Sequence, residues 1–156
     1  MNYDVVIIGG GIIGLSTAYK IIKSNPRKKI IVLEKENEVG LHQTGHNSGV
    51  IHSGIYYKPG SLKAELCRRG IKDLTRFCID KGIHFEICGK IIIANDKKQI
   101  PFLDLLINRG TQNGIQNLKK LSRQDIKDYE PHAQGEAGVY CPETGIVDYN
   151  EVCVAL

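Results

Sequence analysis

Two stretches of this sequence hold residues whose types and spacing suit chemistry. The first is Gly9-Gly10-Gly11-Ile12-Ile13-Gly14, a G-x-G-x-x-G pattern with an acid, Glu34, about twenty residues further on. Gly9 permits a tight turn, Gly11 lets a pyrophosphate approach the backbone, and Gly14 lets a helix pack closely on a strand. A helix opening here would aim its unpaired N–H groups and positive dipole end at phosphates. Glu34 would accept from the hydroxyls of an adenosine ribose and repel a 2′-phosphate, which disfavours NADP. The second stretch, residues 41–60, mixes glycines with His42, His46, His52, Thr44, Asn47 and Ser48. Small residues beside hydroxyls and amides suit a backbone wrapped closely around a ligand. The three histidines also raise a metal reading. Their spacing, the scarcity of nearby carboxylates and the lack of a neighbouring cysteine weigh against it, and no metal is expected.

The surrounding elements must position these groups. Residues 3–8 form a β-branched run that reads as a buried parallel strand. The turn follows, then a helix over about residues 12–24, stopped at Asn25-Pro26 because proline cannot continue a helix interior. Residues 29–33 read as a second strand ending at Glu34, which completes a βαβ unit of the right-handed, parallel kind. Periodicity lapses between residues 35 and 60. Ser61 then caps a helix reaching about Lys81, with Leu62, Leu66, Ile71, Leu74 and Cys78 on one face and Gly82 ending it. Residues 85–94 read as one or two strands broken at Gly89, and a helix starts between Asp96 and Pro101 and ends near Gly110. Ser122-Arg-Gln-Asp125 fits a capping box for a short helix ending before Pro131. Residues 137–141 and 146–149 read as strands joined by a turn at Pro142-Glu-Thr-Gly145, and Asn150 as the cap of a last helix.

Composition narrows the function classes. The chain has 156 residues, with 42% hydrophobic and 24% charged, which suits a globular fold and argues against disorder or a coiled coil. A net charge of +4 from scattered basic residues, with few aromatics and no tryptophan, does not mark a nucleic-acid binder. The apolar runs are too short to span a membrane. The five cysteines contain no Cys-x-x-Cys pair, which fits free thiols in a reducing compartment. No signal-peptide pattern precedes the first strand. A cytoplasmic location is expected, either in solution or peripherally on the cytoplasmic face of a membrane.

The glycine turn and the loop together resemble FAD-dependent oxidoreductases of the D-amino-acid-oxidase type. Within these, Thr44-Gly-His-Asn-Ser-Gly-Val-Ile-His-Ser-Gly-Ile-Tyr-Tyr-Lys58, Cys88-Gly-Lys90 and Cys141-Pro-Glu-Thr-Gly-Ile-Val-Asp-Tyr149 resemble the L-2-hydroxyglutarate oxidase/dehydrogenase family. The resemblance implies an α/β fold: a Rossmann-like FAD-binding βαβ unit followed by part of an α+β substrate domain. Residues 1–57 would belong to the FAD domain, 58–149 to the substrate domain and 150–156 to a return to the FAD domain. Family members run to several hundred residues, so the chain looks truncated. The resemblance further implies that FAD is held by Gly9, Gly11, Gly14 and Glu34, with Thr44, His46, Asn47, Ser48 and Gly49 wrapping its diphosphate and flavin side. Some relatives place a covalent flavin attachment at a histidine two residues after a threonine, as His46 stands to Thr44. The related glycerol-3-phosphate dehydrogenases carry a similar Ile-His-Gly stretch beside the flavin, which points to His52 as the base. The implied reaction is oxidation of an L-2-hydroxy acid, with oxygen or a quinone as final electron acceptor. Two alternatives stand beside it: a non-catalytic fragment with at most weak FAD binding, and an NAD-dependent Rossmann dehydrogenase. The loop over residues 44–54 weighs against the second, since an NAD domain would proceed here to further βα units.

Overall fold

The structure, a computed structural model, describes residues 2–156. In chain order the elements are β1 (Val5–Ile8), α1 (Ile12–Ser24), β2 (Ile30–Leu33), β3 (Val50–Ile51) and α2 (Leu62–Lys81). They continue with β4 (Phe85–Glu86), β5 (Lys90–Ala94), a 3-10 turn (Lys97–Gln99), α3 (Ile100–Gln112) and β6 (Lys119–Ser122). The last are α4 (Arg123–Tyr129), β7 (Ala137–Cys141), β8 (Gly145–Val147) and α5 (Tyr149–Ala155). The chain divides into two compact units. One holds the residues up to Gly49 together with Cys78–His84 and Asp148–Leu156; the other holds Val50–Phe77 and Phe85–Val147.

The first unit is built on the βαβ motif. Strands β1 and β2 pair in parallel, from Val5 opposite Ile30 to Ile8 opposite Leu33. The ladder is extended at one end, where Gly9 N–H donates to the Leu33 carbonyl at 2.7 Å. At the other end the Asp4 carboxylate accepts from the Lys29 amide at 2.8 Å. α1 occupies the expected residues, and its last turn closes where Asn25 N–H donates to the Ile21 carbonyl. The expectation of a buried strand needs correcting. Val6 is 55% and Ile8 88% exposed, because burial alternates along β1 and only one face is covered among the described residues. The last helix is capped by Asp148, whose carboxylate accepts from the Asn150 amide at 2.8 Å, not by Asn150 itself. Asp148 is the residue with extended backbone just before the first helical turn, so its side chain is the one that can reach back to it.

The second unit contains two antiparallel sheets, ordered β3-β8-β4 and β5-β7-β6. β7 is the central strand of the second sheet, and its residues Ala137, Val139 and Cys141 are buried. They join Ile55, Leu103, Leu106 and Ile115 in one core under α3. Several expectations shift here. The two strands joined by a turn after Cys141 are present, the second running Gly145–Val147 rather than 146–149, and they pair with different partners: β7 with β5 and β6, β8 with β3 and β4. β6, Lys-Lys-Leu-Ser, has no strand signal of its own, and pairing with β7 imposes its conformation. On α2, Leu62 and Leu66 are 68% and 51% exposed, and the inward face instead runs through Ala64 and Cys78 with Ile71 and Leu74 half-buried. The capping box forms as expected. Ser122 Oγ accepts from the Asp125 amide at 3.3 Å, and the Asp125 carboxylate accepts from the Ser122 amide at 2.8 Å.

These packing differences set an order of stabilities. Leu106 is fully buried in the core, so Leu106→Ala should cost about 2–5 kcal/mol in a urea titration. Ser122→Ala removes only an exposed cap and should cost about 1 kcal/mol. Equal losses would contradict the assignment of the core.

Candidate functional site

The glycine turn of the first unit has a shape that side chains would block. A Cβ on Gly14 would sit 2.0 Å from the Gly9 carbonyl oxygen, so only glycine lets α1 approach the end of β1 this closely. Gly9 itself takes φ +107°, a conformation that L-residues with side chains rarely adopt. The N-terminus of α1 is thereby held beside the turn, with its first amides pointing away from the helix. Ile12 N–H donates to Thr44 Oγ1 at 3.1 Å, which fixes the loop to the helix start. The Thr44 oxygen is an acceptor in this contact, and its hydroxyl hydrogen remains free to donate outward.

Glu34 acts as an anchor for backbone amides. Its Oε2 accepts from Gly10 N–H at 2.6 Å, and its Oε1 accepts from the amides of Lys35 at 2.8 Å and Glu36 at 3.1 Å. The Gly10 bond above all, then that of Glu36, holds the Glu34 carboxyl below the usual carboxylate range. Beside it, His42 Nε2 meets Glu36 Oε1 at 2.8 Å, and that pairing lowers the Glu36 carboxyl as well. Asn47 organises the loop beyond. Its Oδ1 accepts from Gly49 N–H at 2.6 Å and its amide donates to the Thr44 carbonyl.

These groups surround a cavity of about 520 Å³. Its wall is formed by residues 11–13 of the turn and helix start, Glu34 at the end of β2, residues 40–44 and Asn47 of the loop, and Tyr149 of α5. That volume lies within the range of sites for small molecules and cofactors. Of the residues singled out in the sequence, the cavity brings together Gly11, Glu34, Thr44 and Asn47. Gly9 and Gly14 shape the turn behind it. His46, Ser48 and Gly49 are not on the wall, and His46 Nδ1 lies 2.9 Å from the His42 carbonyl. Leu41, His42 and Gln43 lie in the marked stretch 41–60 without being singled out as cofactor residues, and Gly40 adjoins it, while Tyr149 comes from the far end of the chain and carries no local signal. The cradle fits a dinucleotide. It has a helix N-terminus bared by glycines, a carboxylate at the end of β2 and a hydroxyl facing the turn.

His52 belongs to the second unit, immediately after β3. It is exposed, yet partial burial, and secondarily the charge of Lys90, hold its imidazole below the usual histidine value. The segment after it is tethered through its carbonyls. Arg68 donates to Ser53 at 3.4 Å, Asn113 to Gly54 at 3.0 Å and Tyr57 at 2.9 Å, and Arg109 to Tyr56 at 3.3 Å. Arg68 is in turn paired with Glu143 at 2.6 Å. A loop without regular structure is thus held in one shape by side chains from α2, α3 and the residue that follows α3. The Ser53 hydroxyl is buried and accepts from the Cys141 thiol at 3.2 Å.

Glu34 yields a pH prediction. Its carboxyl lies below 4.5 in the folded chain, so its bonds are fully present above that ordinary value and are lost as pH falls through the lower folded value. Urea midpoints of the wild-type chain should therefore fall on that acid limb, and Glu34→Gln should flatten the limb. An identical acid limb in the variant would show that Glu34 is not the group responsible.

The chain is 51% identical over 152 residues to an L-2-hydroxyglutarate dehydrogenase of Indibacter alkaliphilus, covering 97% of this chain and 38% of that protein. It is 50% identical over 154 residues to the mitochondrial L-2-hydroxyglutarate dehydrogenase of Homo sapiens, covering 99% of this chain and 33% of that one. The chain therefore spans about a third of the length of the curated relatives it matches. Among solved structures, it superposes with a TM-score of 0.87 on the dithionite-reduced L-alpha-glycerophosphate oxidase of Mycoplasma pneumoniae with FAD bound. The match is at 29% identity and covers 99% of this chain and 42% of that one. No helix among the described residues is long and apolar enough to cross a membrane. The model of the DAO family, FAD dependent oxidoreductase, matches residues 4–156, and the chain belongs to that family.

Proposed function

We propose that this chain supplies the adenosine- and diphosphate-binding cradle, and the proton-accepting histidine, of an FAD-dependent oxidation of L-2-hydroxyglutarate to 2-oxoglutarate. The observation that carries the reading is the turn in which Gly14 meets the Gly9 carbonyl and Gly10 is held by Glu34, beside a cavity of cofactor size. The substrate comes from the relatives, whose names specify L-2-hydroxyglutarate. Gly9, Gly11, Gly14, Glu34, Thr44 and Asn47 are the residues that would hold the dinucleotide. His46, Ser48 and Gly49 would complete the wrap from beyond the cavity wall. In domain terms, residues 1–57 serve the cofactor, 58–149 begin the substrate domain and 150–156 return to the cofactor side. The division into two compact units supports a two-part chain of this kind.

FAD, when bound, supplies the acceptor for the hydride that leaves substrate C2. His52 takes the proton of the C2 hydroxyl at an imidazole nitrogen, which requires the neutral ring. Its lowered pKa keeps the ring neutral at physiological pH. The final electron acceptor in this reading is oxygen or a quinone, met in the cytoplasm or at a membrane surface.

Three measurements test the reading. The purified chain, mixed with FAD and desalted, should keep the visible flavin bands, and Gly14→Ala should lose them, since its Cβ would enter the Gly9 carbonyl. Bands absent from wild type and variant alike would count against an autonomous cradle. By NMR, the His52 ring should titrate with a midpoint below 6.5; a midpoint at or above that value would contradict its environment. In a preparation that reduces flavin with L-2-hydroxyglutarate, His52→Gln should slow reduction by roughly 10²–10⁴-fold, the usual contribution of a general base. The wild-type rate should fall only as pH drops through the lowered His52 value.

A further inference from the structure

A cation without a counter-ion stands near His52. Lys90 opens β5 opposite Cys141, which is fully buried, and Lys90 is itself half-buried. Its ammonium lies 4.5 Å from the centroid of the Tyr56 ring. Tyr56 sits on the segment that begins at His52, where Arg68, Arg109 and Asn113 grip the backbone carbonyls. Cys141, the cross-strand partner of Lys90, donates its thiol at 3.2 Å to the hydroxyl of Ser53, the residue next to His52. Lys90, Tyr56 and His52 thus form one cluster within the second unit.

Three cations of this unit are paired with acids. Arg68 has Glu143, Lys120 has Asp104 and Arg123 has Glu136. Lys90 has no carboxylate at ion-pair distance among the described residues. Burying part of an ammonium costs free energy, and a tyrosine face offsets only some of it. The ring also fixes the direction of the side chain, which a solvated lysine would not need. A preorganised cation lacking its own anion is suited to an anion that arrives from outside.

We infer that the Lys90 ammonium, held over the Tyr56 ring, receives a carboxylate of the 2-hydroxy acid whose hydroxyl proton goes to His52. The inference rests on the proposed oxidation. In a 2-hydroxy acid the hydroxyl and the C1 carboxylate are one carbon apart, so a base and a cation in one cluster match both. A dicarboxylate offers a second carboxylate at C5, which has the same chemistry. Lys90 binds and orients substrate in this scheme and exchanges no proton with it.

The test is a titration of the FAD-supplemented chain with L-2-hydroxyglutarate, its C1 amide and its C5 amide, followed at the lysine ε-methylene and histidine ring NMR signals. The diacid should shift Lys90 and His52 together. Lys90→Met should weaken its binding about tenfold, the loss of one charge-assisted contact, and Lys90→Arg should restore most of it. One of the two amides should bind wild type about tenfold more weakly and show no further loss with Lys90→Met, which identifies the carboxylate concerned. A wild-type melting curve for Lys90→Met separates this loss from misfolding. Three results would overturn the inference: Lys90→Met binding the diacid within about twofold of wild type, both amides binding as well as the diacid, or no ligand shift at Lys90. His52→Gln keeps the cation and should keep the affinity. If flavin reduction proves insensitive to His52→Gln, the base assignment fails; if L-2-hydroxyglutarate reduces no flavin while the Lys90 shifts persist, the oxidation reading fails and the carboxylate site stands.

Discussion

The closest constraint in the molecule is the approach of Gly14 to the Gly9 carbonyl. A single Cβ there would lie at 2.0 Å, far inside any permitted contact. Because glycine removes that atom, α1 can begin directly above the end of β1, and residues 11–13 at its start line the cavity. The other cavity contacts depend on this placement. Thr44 can reach the Ile12 amide only because the helix starts where it does. The cavity lies along that same helix terminus.

Glu34 ties the end of β2 to the turn after β1. One carboxylate satisfies three backbone amides, those of Gly10, Lys35 and Glu36, in a stretch that has no regular structure to pair them. Those bonds favour the ionised acid. The same carboxylate also contributes to the cavity wall. An acid at this position therefore has an architectural function, and in the proposed reading a second one toward an adenosine; the lowered pKa keeps the charge in place.

The second unit solves a different problem. The segment from Ser53 to Tyr57 has few ladder bonds of its own, and its shape comes from side chains of α2, of α3 and of Asn113 just after α3. Arg68, Arg109 and Asn113 each spend donors on its carbonyls. Ile55 anchors it from within, as part of the core beneath α3. His52 precedes this anchored stretch and Tyr56 lies within it, and both side chains stay exposed, which is the arrangement expected of side chains that meet a ligand from a rigid base.

Much of this was legible in the sequence because it is local. The glycine turn, α1, the Ser61 start of α2 and the capping box at Ser122 are written in neighbouring residues, and local sterics and hydrogen bonds decide them. Gly11, Glu34, Thr44 and Asn47 were visible for the same reason. The sequence could not assign β6, because Lys-Lys-Leu-Ser becomes a strand only by pairing with β7. Nor could it separate β7 from β8, whose partners lie far along the chain. The tertiary structure alone decided that Leu62 and Leu66 face outward while Ala64 faces in, that Tyr149 joins the cavity wall, and that Lys90 rests on Tyr56 near His52. Short-range conformation is set by each residue and its neighbours, whereas burial and site membership are set by contacts between segments that only folding brings together.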